Sequence, residues 1–370
     1  MSGPAAVTLF LCGDVMIGRG IDQVLAHSCP PRLYEPYVDS ALEYVTLAEA
    51  ANGPIPRGVG PAYVWGDALA ELERRRPNAR IANLETALTL SEDALPKGIN
   101  YRAHPANVAV LSAARFDCCV LANNHVLDWG EDGLCETLAA LSGAGIAPAG
   151  AGRDRAAAEA PAVLDVGAGR RVLVFAAAAA DSGVPPEWAA GDEMPGVALL
   201  PDLSERTADA LAARVQAARR PGDVVVASLH WGGNWGYDVT RDHRRFAYAL
   251  IDRGAADVVH GHSSHHPKAI EVHRGRPILY GCGDFLTDYE GIRGYEAYRG
   301  NLVLMYFPTL DAQSGALLGL EMVPLVLRRF QLHRASASER EWLRTTLGRE
   351  CRRFGGRVVA HDDAFVLEWE

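Results

Sequence analysis

The chain has 370 residues, 49% of them hydrophobic, enough for a substantial core in one large domain or two ordinary ones. A formal net charge of -10 without any basic run argues against nucleic acid or an anionic membrane as partner, since both need a concentrated positive field, and leaves a small-molecule substrate as the expectation. No stretch approaches the ~18 apolar residues of a membrane helix. Met1 to Ala6 carries no basic segment and leads straight into a strand, so the expected location is the cytoplasm. The seven cysteines (Cys12, Cys29, Cys118, Cys119, Cys135, Cys282, Cys351) form no CxxC pair and mostly lie in apolar segments, the usage of reduced thiols.

In chain order, Val7 to Asp14 is an apolar run ending in Gly-Asp, which predicts a buried parallel strand delivering Asp14 at its C-terminal end. Gly18 and Gly20 flank Arg19 without the spacing of a dinucleotide fingerprint; Arg19 is suited equally to pairing with a carboxylate and to facing an anionic substrate. Residues 21–61 are rich in Pro, Gly and Tyr and read as an insertion with a short helix near Ser40 to Ala51, a candidate lid. Ala62 to Arg76 has helical spacing. Arg80 to Glu85 is a second strand ending in a carboxylate, with Asn83 on the same face as Glu85.

Tyr101 to Pro105 is a polar loop containing His104, and Ala106 to Arg115 reads as a helix. A third strand from Cys118 delivers Asn123, Asn124 and His125, with Asp128 three residues on; an asparagine pair is poor strand material and not core packing. Glu131 to Gly145 is an amphipathic helix, and 160–166 with 171–180 a hairpin. After a helix from Leu203 to Arg220, the strand Asp223 to Leu229 runs into His230 and Trp231. Arg241 to Gly254 is a helix. Asp257 to Val259 is then a short apolar strand with four histidines behind it, His260, His262, His265 and His266, and Lys268 and Asp284 beyond. Later strands are expected at 301–307 and 319–330, a helix at Glu339 to Phe354, and a strand-like tail at Val358 to Trp369. No break in composition divides the chain, so 1–370 reads as a single domain with a strand-helix extension at 310–370.

Several strands therefore end in ligand-type residues: Asp14, Glu85, Asn124 with His125, His230, and His262 with His265. Ligands bind at the carboxyl ends of strands in open α/β sheets. Carboxylate, amide oxygen and imidazole together suit manganese, zinc or ferrous iron. Two such ions sharing a carboxylate activate water and stabilise charge on a substrate. His125, backed by Asp128, is the candidate general acid; the plainer alternative is another ligand or a surface histidine. Arg19, Asn83, Asn123, His104, Trp231, Lys268 and Asp284 are candidates for holding the substrate.

GDVMIGR at Gly13 to Arg19, NLE at Asn83 to Glu85, NNHVLDWG at Asn123 to Gly130, HWGGNW at His230 to Trp235 and GHSSHHPK at Gly261 to Lys268 together resemble the CapA-type family. That family is associated with poly-gamma-glutamate (capsule) biosynthesis and belongs to the calcineurin-like metallophosphoesterases. The resemblance implies an α/β fold, a four-layer α/β/β/α sandwich with a dinuclear site at the strand ends. It assigns Asp14 and His265 to the first ion, Glu85 to the bridge, Asn124, His230 and His262 to the second ion, and catalysis to His125. Met16 stands where the superfamily's first motif has a histidine, so the first position is expected to hold its ion more weakly. Capsule proteins commonly carry an N-terminal membrane anchor, and none is expected here. The expected activity is metal-dependent hydrolysis of a phosphoester or a gamma-glutamyl amide. A non-hydrolytic component for glutamate-type polymers and amide-forming chemistry are the alternatives.

Overall fold

Short apolar runs, most of them buried on both faces, build the two large sheets of the computed structural model, which describes residues 6–370. The larger sheet runs, in spatial order, Gly356–His361, Ala364–Trp369, Leu317–Arg328, Leu302–Asp311, Ala6–Val15, Ala79–Leu84, Cys118–Val120 and Ala147–Ala149, with Gln331–Arg334 and Asp284–Leu286 pairing off this path. Its half from Ala6–Val15 to Ala147–Ala149 is parallel. The second sheet runs Leu199–Leu200, Arg171–Ala179, Val224–His230, Val258–His262, Arg276–Leu279 and Ile270–His273, with Ala162–Asp165 alongside.

Alternation decides which way the second sheet's residues face. Val172, Val174, Val224, Val226 and Val258 join the core shared with the first sheet. Their neighbours Leu173, Phe175, Val225, Ala227 and Val259 join a separate core under the helices Glu205–Ala218 and Arg241–Asp252. Leu72, Leu111 and Leu134, from the helices Ala68–Arg75, Val108–Ala113 and Gly130–Gly143, pack in the main core. The result is the expected α/β sandwich, two sheets face to face with helices outside. Continuing the same parity along Val224–His230 and Val258–His262 turns His230 and His262 inward, toward the first sheet.

Two expectations about organisation change. The segment at 310–370 is no appendage: Leu302–Asp311 pairs antiparallel with Ala6–Val15, and Leu317–Arg328 and Ala364–Trp369 extend the same sheet. The tail is a hairpin and not one strand, because Asp362 takes a positive φ of 50° and reverses the chain. Residues 21–61 contain the helix Ala41–Asn52, and Ile21, Val24, Val45 and Ala48 anchor the segment in the main core.

Candidate metal centre

The C-terminal ends of the parallel strands of both sheets meet, and the ligand-type residues meet with them. One carboxylate oxygen of Asp14 and one ring nitrogen each of His230 and His262 lie within 4.8 Å of one another, all three residues buried. His230 Nε2 is 3.0 Å from Asn124 Oδ1 and 3.9 Å from Glu85 Oε1, while its Nδ1 is 2.8 Å from His262 Nδ1. His262 Nε2 is held at 3.0 Å by the Ser228 hydroxyl. On the other side, His265 Nδ1 is 2.9 Å from Asp284 Oδ1.

The loop that carries these histidines is built tightly. Ser263 has a φ of 98°, strained for a residue with a side chain, and its N–H donates to Asp14 Oδ2 at 3.3 Å while its hydroxyl donates to Gly232 O. Gly261 has no room for a side chain: a Cβ there would sit 2.6 Å from Leu279 O and 2.7 Å from Trp231 Nε1.

The donor set fits divalent cations. Burial first, then the neighbouring Asp284 carboxylate, raises Asp14 to about 7. Glu85 is also raised, by burial and then by Asp14 and Asp284. Burial opposes charge on His265, but Asp284 and Asp14 outweigh it and raise its pKa, whereas burial lowers His230 and His262. Buried carboxylates crowded with uncharged imidazoles are costly unless a cation joins them. Asp14, Glu85, Asn124, His230, His262 and His265 are the residues that would hold it.

His125 borders this cluster, its Nε2 4.0 Å from Glu85 Oε1. Its Nδ1 is 2.7 Å from Asp128 Oδ2, and the Tyr101 ring stacks on the imidazole at 3.9 Å. Asp128 is itself fixed, accepting from Tyr101 N at 2.6 Å and from Lys97 Nζ at 2.6 Å. Burial pushes His125 down to about 4 against the opposing pull of Asp128. The neutral ring that results gives its proton-bearing Nδ1 to the carboxylate and presents Nε2 to the centre.

The structure revises several candidate substrate contacts. Asn83 and Asn123 are fully buried behind the ligands: Asn83 Nδ2 donates to Asp14 Oδ1 at 2.8 Å, Asn123 Nδ2 donates to Asn83 Oδ1 at 3.0 Å, and Asn123 Oδ1 accepts from His125 N at 3.1 Å. Both brace the cluster from behind, and neither lines the cavity. Arg19 borders the cavity, but its guanidinium is consumed by Asp288 and Glu35 and lies over the Tyr44 ring at 3.8 Å. Trp231 follows the inward His230 and so faces the opposite side, in the core under the helices, its Nε1 donating to Tyr280 O at 3.0 Å. Lys268 donates to Asp238 O, and His104 caps its own turn by accepting from Ala106 N. None of these last three lines the cavity at the centre.

That cavity has a volume of about 690 Å³, within the range for small-molecule sites, and Glu85, Asn124, His125, His265 and Asp284 open into it. Its far wall comes from 287–301, including Tyr289, Glu290, Tyr295 and Arg299, whereas the candidate lid contributes Tyr37, Tyr44 and Asn52. Sequence reasoning missed this wall, and it missed Lys97 and Tyr101. Lys97 had one signal, being one of two lysines in a chain whose positive charge is otherwise arginine.

A family model described as "Bacterial capsule synthesis protein PGA_cap" matches residues 8–289, a span that includes every residue of the centre. The chain belongs to this family. The CapA-type resemblance carried by the five motifs is thereby confirmed. A PGA_cap relative, the "Probable polyglutamine synthesis accessory protein" of Mycobacterium tuberculosis, is 51% identical over 362 residues, 97% of this chain and 95% of that one. The "PGA biosynthesis protein CapA" of Bacillus subtilis is 27% identical, over 80% of this chain and 66% of its own. Among solved structures, the calcineurin-like phosphoesterase YfkN of Bacillus subtilis is similar, with a TM-score of 0.44 and 12% identity, over 85% of this chain and 88% of that one. Among the described residues, no helix of this PGA_cap chain is long and apolar enough to cross a membrane.

Proposed function

We propose that this protein is a metal-dependent hydrolase that cleaves a phosphoester or a gamma-glutamyl amide in the cavity beside His125. The observation that carries the reading is the oriented imidazole: His125 is fixed by Asp128 on one nitrogen and by the Tyr101 ring on one face, with its other nitrogen 4.0 Å from Glu85 Oε1. A purely structural histidine has no need of a carboxylate, a lysine and an aromatic ring to aim it at a cluster of ligand residues. Bound divalent ions would supply Lewis-acid polarisation of the scissile bond and a lowered pKa for water.

The chain's own residues do the rest. Asn83 holds Asp14, and Asn123 holds the backbone of His125, so both sides of the centre are positioned before substrate arrives. Neutral at rest, His125 takes a proton at Nε2 from the attacking water and returns it to the leaving oxygen or nitrogen. Asp128 stabilises the imidazolium in between, and Lys97 holds Asp128 in place.

The relatives' names favour a second reading, an accessory role in glutamate-polymer synthesis in which the cavity binds a chain without cutting it. One panel separates them. Manganese-loaded protein is assayed against aryl phosphomonoesters and phosphodiesters and against gamma-glutamyl amides, with chelated protein as control. Metal-dependent turnover of any one class is the expected result. Saturable binding of gamma-glutamyl oligomers with no turnover of any substrate would replace hydrolysis with the accessory reading.

A further inference from the structure

Met16 leaves the first ion position one imidazole short of the superfamily pattern, yet the structure puts another donor beside Asp14. Two Gly-Asp steps lie next to each other here, Gly13-Asp14 and Gly283-Asp284. The strand Asp284–Leu286 pairs parallel with Ala6–Val15, Asp14 in register with Asp284, and Asp14 N donates to Gly283 O at 3.0 Å. This approach tolerates no side chain at the first glycine, since a Cβ on Gly13 would sit 1.7 Å from Gly283 O. Gly283 takes a positive φ of 78°, the left-handed conformation that favours glycine. The glycines therefore serve to bring two carboxylates together, which is electrostatically unfavourable without a counter-charge.

We propose that Asp284 is a metal ligand, completing with Asp14, Glu85 and His265 a carboxylate-rich first position for a hard divalent ion. This rests on the dinuclear reading above. Both Asp284 oxygens lie near His265 Nδ1, at 2.9 and 3.2 Å, and Asp284, Glu85 and His265 all face the cavity. Asp284 is 3% exposed, and the buried guanidinium of Arg19, which borders the same cavity, is already taken by Asp288 and Glu35. Charge closes the argument: three carboxylates carry three negative charges, and two divalent ions leave one positive charge to meet an anionic nucleophile or substrate oxygen. With two carboxylates the excess would be two.

The two positions then differ in kind and not in strength. The first has three carboxylates and one imidazole and suits manganese or another oxygen-seeking ion. The second, with Asn124, His230, His262 and a share of Glu85, has two imidazoles and suits zinc better.

The test counts metal directly. Apoprotein, Asp284→Asn and His262→Ala are each loaded with manganese, desalted with a mild chelator, and measured by elemental analysis and by electron paramagnetic resonance, with circular dichroism confirming the fold. Asn at 284 keeps the shape and an acceptor for His265, so misfolding is not the expected outcome. Wild type is expected to hold two ions with the signature of a coupled pair. Asp284→Asn should hold one, uncoupled, its first-position affinity lowered by at least ~10–100-fold, the loss brought even by removing an outer partner of a ligand. The ion that Asp284→Asn retains should exchange for zinc more readily than the one that His262→Ala retains. Two coupled ions of wild-type affinity in Asp284→Asn would overturn the proposal while leaving the dinuclear reading intact. A wild type that binds no ion in the cavity would overturn that reading itself.

Discussion

Replacing His125 by alanine is expected to leave the metal content unchanged and to lower turnover by ~10²–10⁴-fold, the usual contribution of a positioned acid or base. The expectation follows from where each histidine sits. His230 and His262 face each other across 2.8 Å at the ends of neighbouring strands, and His230 also lies against Asn124 and Glu85. His125 stands outside that group, with its second nitrogen committed to Asp128. His262→Ala should consequently lose an ion as well as activity. Steady-state kinetics on whichever substrate the panel identifies, paired with elemental analysis of the same samples, checks both halves. A His125→Ala protein stripped of metal, beside a His262→Ala protein that keeps it, would reverse the assignment.

Removing the ions is expected to destabilise the protein, and to do so more at pH 8 than at pH 5. Asp14 is raised from 3.8 to about 7 in the folded chain by burial and by Asp284, and Glu85 is raised in the same way. Well below the unfolded value of 3.8 for Asp14, both folded and unfolded chains hold these protons and stability is unaffected. As pH rises toward 7 the unfolded chain releases them and the folded apoprotein does not, so its stability falls across that window and stays low above it. A carboxyl raised so far costs on the order of 4 kcal/mol at neutral pH. Bound cations remove that cost by favouring the ionised carboxylates. Thermal melts with and without chelator across pH 5 to 8 should therefore separate with rising pH, by roughly 5 °C or more at the upper end. A chelator effect that is flat with pH, or largest in acid, would mean that these carboxylates are not the groups the ions neutralise.

What the sequence revealed of this molecule follows from the range over which its signals act. Strands such as Val7 to Asp14 and Asp223 to His230 announce themselves through local apolar runs, and parallel strands place their C-terminal residues together, so Asp14, Glu85, Asn124 and His230 could be grouped before any coordinates. Parity along a strand is equally local. Trp231 follows the inward His230, so alternation sends it to the opposite face, under the helices and away from the cavity. The place of Asp284 beside Asp14 is hidden in the sequence for a different reason: its strand is three residues long, has no periodicity to read, and gains its meaning from pairing with a strand near the other end of the chain. The same holds for the C-terminal hairpin, whose partners in the sheet are remote in sequence. Lys97 and the 287–301 wall lie mainly in loops, where neither alternation nor helical spacing marks a residue as facing a cavity.

Anomalous diffraction from crystals soaked in manganese tests most directly the claim that these strand ends form a two-ion centre. Two anomalous peaks are predicted, one on each side of the Glu85 carboxylate, the first against Asp14, His265 and Asp284 and the second against Asn124, His230 and His262. Density for manganese elsewhere on the protein, with none beside Glu85, would contradict the account at its base.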